Sequence, residues 1–222
     1  MTRGARPAAV ILDHDGLTLD SETAWTRAEA KLFRRRGRTF THDHKLELIG
    51  SEGPMAAAKL ERMLDLEPGA GAAVLYELGD LVVEELARGC EPMPGARALI
   101  AALTQAEIPF ALCSNSPRRV VDAALRGSGL TTAFAATIAG DEVAHGKPAP
   151  DPYLAAAAAL GVPAAGCVAI EDSPTGATSA RAAGMTVIGI PSVPGVSLAG
   201  LVDAEFASLE DPGLRALLGL QS

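Results

Sequence analysis

Two aspartates, Asp13 and Asp15, stand one residue apart at the end of a short apolar run and directly before a glycine. Like charges this close repel each other and are costly to remove from water, so a buried pair needs a positive partner. A divalent cation is the obvious candidate, because hard cations prefer carboxylate oxygens. The pair therefore predicts chemistry at this point of the chain.

Other polar residues follow later apolar runs of the chain. They are Ser114, Asn115, Lys147, Glu171 and Asp172. In open α/β sheets, ligands bind outside the carboxyl ends of the strands, so we expect these side chains to meet at one edge. Several carboxylates can hold Mg²⁺ there, while a hydroxyl and a lysine can bind the oxygens of a phosphoryl group.

Apolar periodicity indicates the elements that position these residues. Residues 8–12 read as a buried strand, and strands alternate with helices from residue 91 to the end of the sequence, which is typical of a parallel α/β sheet. Residues 21–90 show helical patterns, and this stretch is far longer than a normal crossover between neighbouring strands. The sequence thus predicts an α/β core domain of residues 1–20 and 91–222 with an inserted all-α domain of residues 21–90.

Composition restricts the partners and the location of the protein. A formal net charge of −8 argues against general nucleic-acid binding, although a small phosphorylated substrate remains compatible with it. The three cysteines are far apart and form no CxxC pair, which favours a reducing, cytoplasmic environment. The first apolar run is too short for a signal peptide or a membrane span. We infer no obligate protein partner.

Four segments together resemble a known family. DHDGLTLD, CSNS, GKPAPDPY and IEDSPTG occur in an order and spacing similar to the four motifs of the haloacid dehalogenase superfamily, in the branch with a helical cap after the first motif (subfamily I). The resemblance covers almost the whole chain, and it is closest to the sugar-phosphatase and beta-phosphoglucomutase-like group. It implies a Rossmann-like parallel sheet with helices on both faces, and it implies that the inserted helices form a cap domain.

The resemblance also implies roles for the residues at the motif positions. Asp13 would be the nucleophile that forms an aspartyl phosphate, and Asp15 would act as general acid and then as general base. Asp13, the backbone carbonyl of Asp15 and Asp172 would bind Mg²⁺, with support from Glu171. The expected phosphate-binding residues are Ser114, Asn115 and Lys147.

Three further residues near the first motif raise questions of their own. Trp25 lies on the first inserted helix, close to the expected active edge, and either packs within the insert, which we favour, or contacts substrate. Glu22, one turn earlier, is a second candidate for substrate contact. Strand alternation is expected to point His14 away from Asp13 and Asp15, so we assign it no role beyond packing or hydrogen bonding.

The predicted function is a Mg²⁺-dependent phosphatase that hydrolyses a small phosphorylated metabolite, a sugar or polyol phosphate. The alternative is a hexose phosphomutase with the same intermediate, but the histidine and the cap arginine of resembling mutases are not evident here. Dehalogenation is disfavoured because resembling dehalogenases lack the second acid, Asp15. A phosphorylatable signalling module would be shorter and ordered differently, and a non-catalytic binding protein would be expected to have lost Asp13 or Asp15.

Overall fold

The computed structural model describes residues 6–48, 51, 53–193 and 195–220. Its strands are β1 (Ala9–Asp13), β2 (Phe110–Cys113), β3 (Ala136–Ile138), β4 (Cys167–Glu171), β5 (Thr186–Gly189) and β6 (Ala204–Glu205). They form one parallel sheet in the order β3-β2-β1-β4-β5-β6. The strand order places β1, which carries the paired aspartates, in the middle of the sheet between β2 and β4.

Helices occupy about half of the remaining described chain. They are α1 (Glu22–Arg35), α2 (His42–Leu48), α3 (Gly53–Leu64), α4 (Gly71–Leu86), α5 (Ala96–Gln105), α6 (Arg118–Ser128), α7 (Asp151–Ala159), α8 (Pro174–Ala182) and α9 (Pro212–Leu217). From α5 onwards, a helix follows most strands of the sheet before the next strand begins. This alternation is what makes a parallel sheet possible, because each connection must return along the sheet.

The sheet is covered on both faces, as the alternating side chains of β1 show. Val10 and Leu12 belong to an apolar cluster that includes residues of α5 and α6, while Ala9 and Ile11 belong to a second cluster with residues of α7 and α8. Successive strand residues point to opposite faces, so a strand buried on both sides reads as an unbroken apolar run. The predicted Rossmann-like α/β sheet with helices on both faces is confirmed.

The helices α1 to α4 lie between β1 and β2 in the chain. The segments that lead into and out of them run side by side, because the Asp20 amide donates to the Glu91 carbonyl (2.9 Å) and the Met93 amide donates to the Thr18 carbonyl (3.0 Å). Helix α4 packs against α1 and α3, and also against α6 of the sheet layer. This arrangement holds the four helices over one end of the sheet; their status as a separate domain of residues 21–90 remains a prediction.

The sequence reading missed one strand. β6 contains two residues, Ala204 and Glu205, which pair with β5 at the edge of the sheet. Two residues carry no alternation that could be recognised, so the pairing becomes visible only when β5 is in place.

The cysteines and the helices also bear on the predicted environment. Cys90, Cys113 and Cys167 are buried free thiols, and burial raises the pKa of Cys90 and of Cys113 to about 12. Thiols that stay protonated behave as small apolar groups. Within the described ranges, no helix has both the length and the apolar character needed to cross a membrane.

Replacing a core residue of β1 tests how strongly the sheet supports the site. Leu12→Ala is expected to lower the free energy of unfolding by about 3 kcal/mol, because it removes buried methyl groups and leaves a cavity. Leu12 is 2% exposed, whereas the control residue Leu154 on α7 is 44% exposed. Urea unfolding of both alanine variants provides the measurement; equal losses in the two would contradict the packing described here.

Candidate active site

The carboxyl ends of β1, β2 and β4 meet at one edge of the sheet. Asp13 ends β1 and lies opposite Cys113 of β2, and Leu12 lies opposite Ile170 of β4. Ser114 therefore follows directly beside Asp13, and Glu171 and Asp172 follow on its other side. Register alone thus brings together residues that are about 100 positions or more apart in the sequence.

Three acidic side chains form the centre of the site. Asp13, Glu171 and Asp172 each offer a carboxylate oxygen, and these atoms lie within 4.8 Å of one another. Burial and the charge of Glu171 raise the pKa of Asp13 well above its ordinary range, despite the opposing effect of Lys147, and the same two causes raise that of Asp172 to about 7. Closely spaced hard oxygens whose ionised forms repel one another fit a divalent cation, which would relieve the repulsion.

Lys147 is the cation that the chain itself supplies. Its buried Nζ contacts Oδ1 of Asp13 and donates to Oε1 of Glu171 at 2.7 Å and to the carbonyl of Cys113 at 3.2 Å. Burial alone would lower the pKa of Lys147, but the two carboxylates raise it well above its ordinary value. The ammonium group therefore stays charged beside Asp13.

Glu171 is held by donors on both of its oxygens. Tyr153 on α7 donates its hydroxyl to Oε1 at 2.6 Å, and Ser173 donates to Oε2 at 3.1 Å. Together with Lys147, these donors fix a fully buried carboxylate behind Asp13 and Asp172. The arrangement suits a supporting charge better than an open metal ligand, because little of its lone-pair capacity is left.

Asn115 connects the β2 end to the lysine loop. Its Oδ1 accepts from the Lys147 amide at 2.7 Å, and its Nδ2 donates to the Lys147 carbonyl at 3.1 Å. Both ends of the side-chain amide thus bind the backbone of the residue whose ammonium group lies in the site. Asn115 fixes the position of Lys147, while direct phosphate binding by Asn115 remains a prediction.

Asp15 lies among hydroxyl groups. Ser114 and Ser116 donate to its Oδ2 at 2.9 and 3.0 Å, and Ser21, just before α1, donates to its Oδ1. Burial would raise the pKa of Asp15, but the His14 ring and the hydrogen bonds from Ser21 and Ser114 lower it below its ordinary value. The ionised form is therefore favoured in this arrangement.

His14 does not point away from both aspartates, so that expectation was wrong. Its fully buried ring places Nδ1 2.9 Å from Oδ1 of Asp15, and within the described part of the chain neither ring nitrogen has a partner at hydrogen-bond geometry. Strand alternation fails because β1 ends at Asp13 and the chain turns at Gly16, where φ is 80°. Beyond the last strand residue, successive side chains no longer alternate between faces.

Gly16 lies against the metal-ligand candidate Asp172. A Cβ atom at position 16 would lie 2.6 Å from Oδ2 of Asp172, which also accepts a hydrogen bond from Ser192 at 2.5 Å. Position 16 therefore requires glycine for two reasons, its left-handed backbone and the close approach of a carboxylate.

A cavity of about 1240 Å³ opens above these residues and extends to the inserted helices. Its lining includes Asp13, Asp15, Asn115, Lys147 and Asp172, together with Glu22 and Trp25 of α1. Trp25 also packs against the main apolar cluster, as the favoured packing role requires, while its contact with substrate remains a prediction. Ser114 is fully buried beneath this cavity, where it donates to Asp15.

A charged group on the far wall of the cavity was not foreseen. Lys45 of α2 lies 2.8 Å from Oε2 of Glu22 and 3.3 Å from Oε2 of Glu29. Burial raises the pKa of Glu29 to about 7, although Lys45 partly opposes the shift. Burial would lower the pKa of Lys45, but Glu22 and Glu29 raise it above its ordinary value.

Sequence reasoning also missed several hydroxyl groups that organise the site. They are Thr18, Ser21, Ser116, Tyr153 and Ser192. Tyr153 is the last residue of the GKPAPDPY segment, so the motif could have indicated it as a site residue. Ser192 lies in a loop after β5 without any pattern around it, so only the folded chain shows its contact with Asp172.

A parallel sheet with carboxylates, a lysine and hydroxyl groups at the carboxyl ends of its strands is the arrangement expected of hydrolases with an acidic site that fits a divalent cation. A profile described as haloacid dehalogenase-like hydrolase matches residues 7–184. The chain belongs to the haloacid dehalogenase-like hydrolase family.

Individual relatives are similar over most of the chain. Fructose-1-phosphate phosphatase of Escherichia coli is 33% identical over 187 residues, which are 83% of this chain and 97% of the relative. Phosphoglycolate phosphatase of Rhodospirillum rubrum is 32% identical over 217 residues, which are 92% and 90% of the two chains. The crystal structure of CbbY from Rhodobacter sphaeroides in complex with phosphate has a TM-score of 0.83 at 28% identity, covering 95% and 99%.

Gly16→Ala tests whether the close approach to Asp172 matters. The control is Gly37→Ala, because Gly37 has a similar φ of 66° but no neighbouring atom within 4 Å of an added Cβ. Both variants are expected to lose about 1 kcal/mol of stability from backbone strain. Only Gly16→Ala is expected to weaken Mg²⁺ binding in a calorimetric titration, by about tenfold or more, because Asp172 must move. Equal Mg²⁺ affinity in both variants would contradict the assignment of Asp172 as a candidate metal ligand.

The raised pKa of Glu29 predicts a pH dependence of stability. Between its ordinary value of 4.5 and about 7, the folded protein holds a proton that the unfolded chain has lost. The stability of the wild type relative to Glu29→Gln should therefore fall as pH rises through this range and stay constant above it. Urea unfolding at several pH values measures the difference.

The matched control for this pH series is Glu84→Gln. Glu84 is an exposed glutamate of α4 paired with Lys31, and this pairing lowers its pKa. Its small contribution should have the opposite sign, with stability rising as pH increases. A rising curve for Glu29 would refute the effect of burial.

Proposed function

We propose that this protein is a Mg²⁺-dependent phosphatase that hydrolyses a small phosphorylated metabolite, a sugar or polyol phosphate, in the cytoplasm. The observation that carries the proposal is the cluster of Asp13, Glu171 and Asp172 beside Lys147, at the base of a cavity large enough for such a substrate. Membership of a hydrolase family and the similarity to a fructose-1-phosphate phosphatase support it.

The residues of the site suit the binding of a phosphoryl group. Asp13 and Asp172, with the backbone carbonyl of Asp15, would hold the cation, and Glu171 would add negative charge behind them. Bound Mg²⁺ supplies positive charge that neutralises the phosphoryl oxygens and lets an anionic nucleophile approach. Lys147 adds a second positive charge from the protein, fixed in place by Asn115.

The reaction would proceed in two displacements. A carboxylate oxygen of Asp13 attacks phosphorus while the bond to the leaving oxygen breaks, and Asp15 gives its proton to that oxygen. Asp15 then takes a proton from water, which attacks the aspartyl phosphate, releases phosphate and restores Asp13. Asp15 must first be protonated, and the negative charge of an arriving phosphoryl group would raise its pKa from the low value favoured by His14 and the serine hydroxyls.

We further propose that residues 21–90 act as a cap domain over this chemistry. Helix α1 contributes Glu22 and Trp25 to the cavity wall, and Ser21 binds Asp15 directly. A cap in this position would exclude bulk water from the phosphorylated Asp13 until the leaving group has departed.

Phosphate release by Asp13→Asn tests the proposed nucleophile. The wild type should release phosphate from p-nitrophenyl phosphate and fructose 1-phosphate with Mg²⁺ present, and chelation of the metal should abolish the activity. Asp13→Asn should reduce kcat by about 10³-fold or more, since an amide cannot form the phosphorylated intermediate. The control Asp65→Asn makes the same change at a highly exposed aspartate and should keep full activity.

Two outcomes of the same assay would reject the proposal. Undiminished hydrolysis by Asp13→Asn would exclude the proposed nucleophile. Conversion of glucose 1-phosphate to glucose 6-phosphate faster than phosphate release would identify a phosphomutase instead, since the two activities differ in whether water or a sugar accepts the phosphoryl group.

A further inference from the structure

The cap wall of the cavity carries a cluster of opposite charges that the proposed chemistry does not use. We define this as the cap charge cluster, formed by Glu22, Glu29 and Lys45. All three residues line the same cavity as Asp13 and Lys147. The cluster therefore faces whatever part of a substrate extends away from the reacting phosphoryl group.

Glu22 is 48% exposed, but the burial of the other two members of this cluster is difficult to explain by stability alone. The side chains of Glu29 and Lys45 are only 5% and 17% exposed. Buried ion pairs commonly contribute no more to stability than apolar residues of similar size would, because desolvation offsets their attraction. An apolar alternative is available to a helical layer that already contains many leucines and alanines. The arrangement is better explained by recognition of a ligand.

The charges of the cavity lining determine which ligands can be accepted. The single ammonium group of Lys45 is shared by two carboxylates. Arg119 is paired with Asp80, and Lys147 is paired with Asp13 and Glu171. In the lining formed by the described residues, every lysine and arginine thus already has a carboxylate partner. Among these described lining residues, no positive charge is left in excess for a second anionic group.

We propose that the cap charge cluster selects substrates whose phosphoryl group is attached to a neutral polyhydroxylated tail, and that it rejects tails with a carboxylate or a second phosphate. This inference rests on the proposed function, whose substrate it narrows. The hydroxyl groups of a tail can accept from Lys45 and donate to Glu22 or Glu29. An anionic tail would instead find no positive charge in excess, because Glu22 and Glu29 already share the ammonium group of Lys45, so nothing would offset the cost of removing its charge from water.

The named substrates of the similar proteins include both neutral and anionic tails. One is a fructose-1-phosphate phosphatase, and another is a phosphoglycolate phosphatase, whose named substrate carries a carboxylate. Their identities to this chain are nearly equal, at 33% and 32%. The preference proposed here therefore depends on the residues of this cavity.

Equilibrium binding tests the proposal without requiring turnover. Trp25 is the only tryptophan and lines the cavity, so its fluorescence can report binding. The Asp13→Asn protein with Mg²⁺ would be titrated with fructose 1-phosphate, fructose 1,6-bisphosphate and phosphoglycolate. We expect fructose 1-phosphate to bind at least about tenfold more tightly than either anionic-tail ligand, as expected for a site that hydrogen-bonds hydroxyl groups.

Two substitutions in the Asp13→Asn background then test the cluster itself. Glu22→Gln combined with Glu29→Gln leaves Lys45 unbalanced, and it should shift the ratio of Kd values about tenfold or more towards fructose 1,6-bisphosphate. Lys45→Met should weaken fructose 1-phosphate binding, because the tail loses a hydrogen-bond donor, and it should improve the binding of neither anionic-tail ligand. Lys31→Met, on the opposite side of α1 and outside the cavity lining, is the control and should leave all three Kd values unchanged.

The outcomes separate this inference from the proposed function. Equal binding of the three ligands, no binding of any of them, or a ratio unchanged by the glutamine substitutions would overturn the proposed selectivity. Wild-type protein that hydrolyses p-nitrophenyl phosphate despite such a result would leave the phosphatase proposal intact. Selective binding together with an absence of hydrolysis in the wild type would instead reject the phosphatase proposal.

Discussion

The repulsion among Asp13, Glu171 and Asp172 is the constraint on which the site depends. Three carboxylates, two of them buried and one half-buried, are unfavourable within 4.8 Å of one another unless positive charge lies among them. Lys147 supplies one charge, but the pKa of Asp13 and that of Asp172 remain raised in its presence. The site therefore fits a second cation. Tyr153 and Ser173 donate hydrogen bonds to Glu171, and Ser192 donates one to Asp172. These bonds keep the two carboxylates from turning away from the site towards solvent.

The sheet makes this unfavourable arrangement possible. Parallel strands end at the same edge, and their buried apolar runs supply the stability that keeps charged groups close together. β1 lies in the middle of the sheet, so its last residue has neighbours on both sides, Ser114 after β2 and Glu171 at the end of β4. The inserted helices then close the space above this edge. Contacts such as that of Ser21 with Asp15 connect the helical layer directly to the candidate acid-base group.

The cavity brings together two charged groups with different tasks. At the sheet edge, excess negative charge favours a cation and, through it, a phosphoryl group. On the helical wall, the pairing with Glu22 and Glu29 leaves Lys45 no positive charge in excess, which favours hydroxyl groups over further anions. The sheet carries the reacting groups and the inserted helices carry the cap charge cluster. Residues of the inserted helices can therefore change without disturbing the register of the sheet. The chemistry and the choice of substrate can thus be altered independently.

The sequence by itself indicated where the strands end, the order of the motifs and the long helical segment between β1 and β2. Apolar periodicity and the residue types of short segments are enough to predict these features. They predicted the sheet, the insertion after β1 and the polar residues that β1, β2 and β4 bring to one edge. The tertiary structure decided the other features of the site. They are the orientation of His14, the two hydrogen bonds of Asn115 to the Lys147 backbone, the hydroxyl donors, and the pairing of Lys45 with two glutamates. These features depend on where the chain leaves a strand and on contacts between distant segments. Local sequence patterns contain no information on such distances.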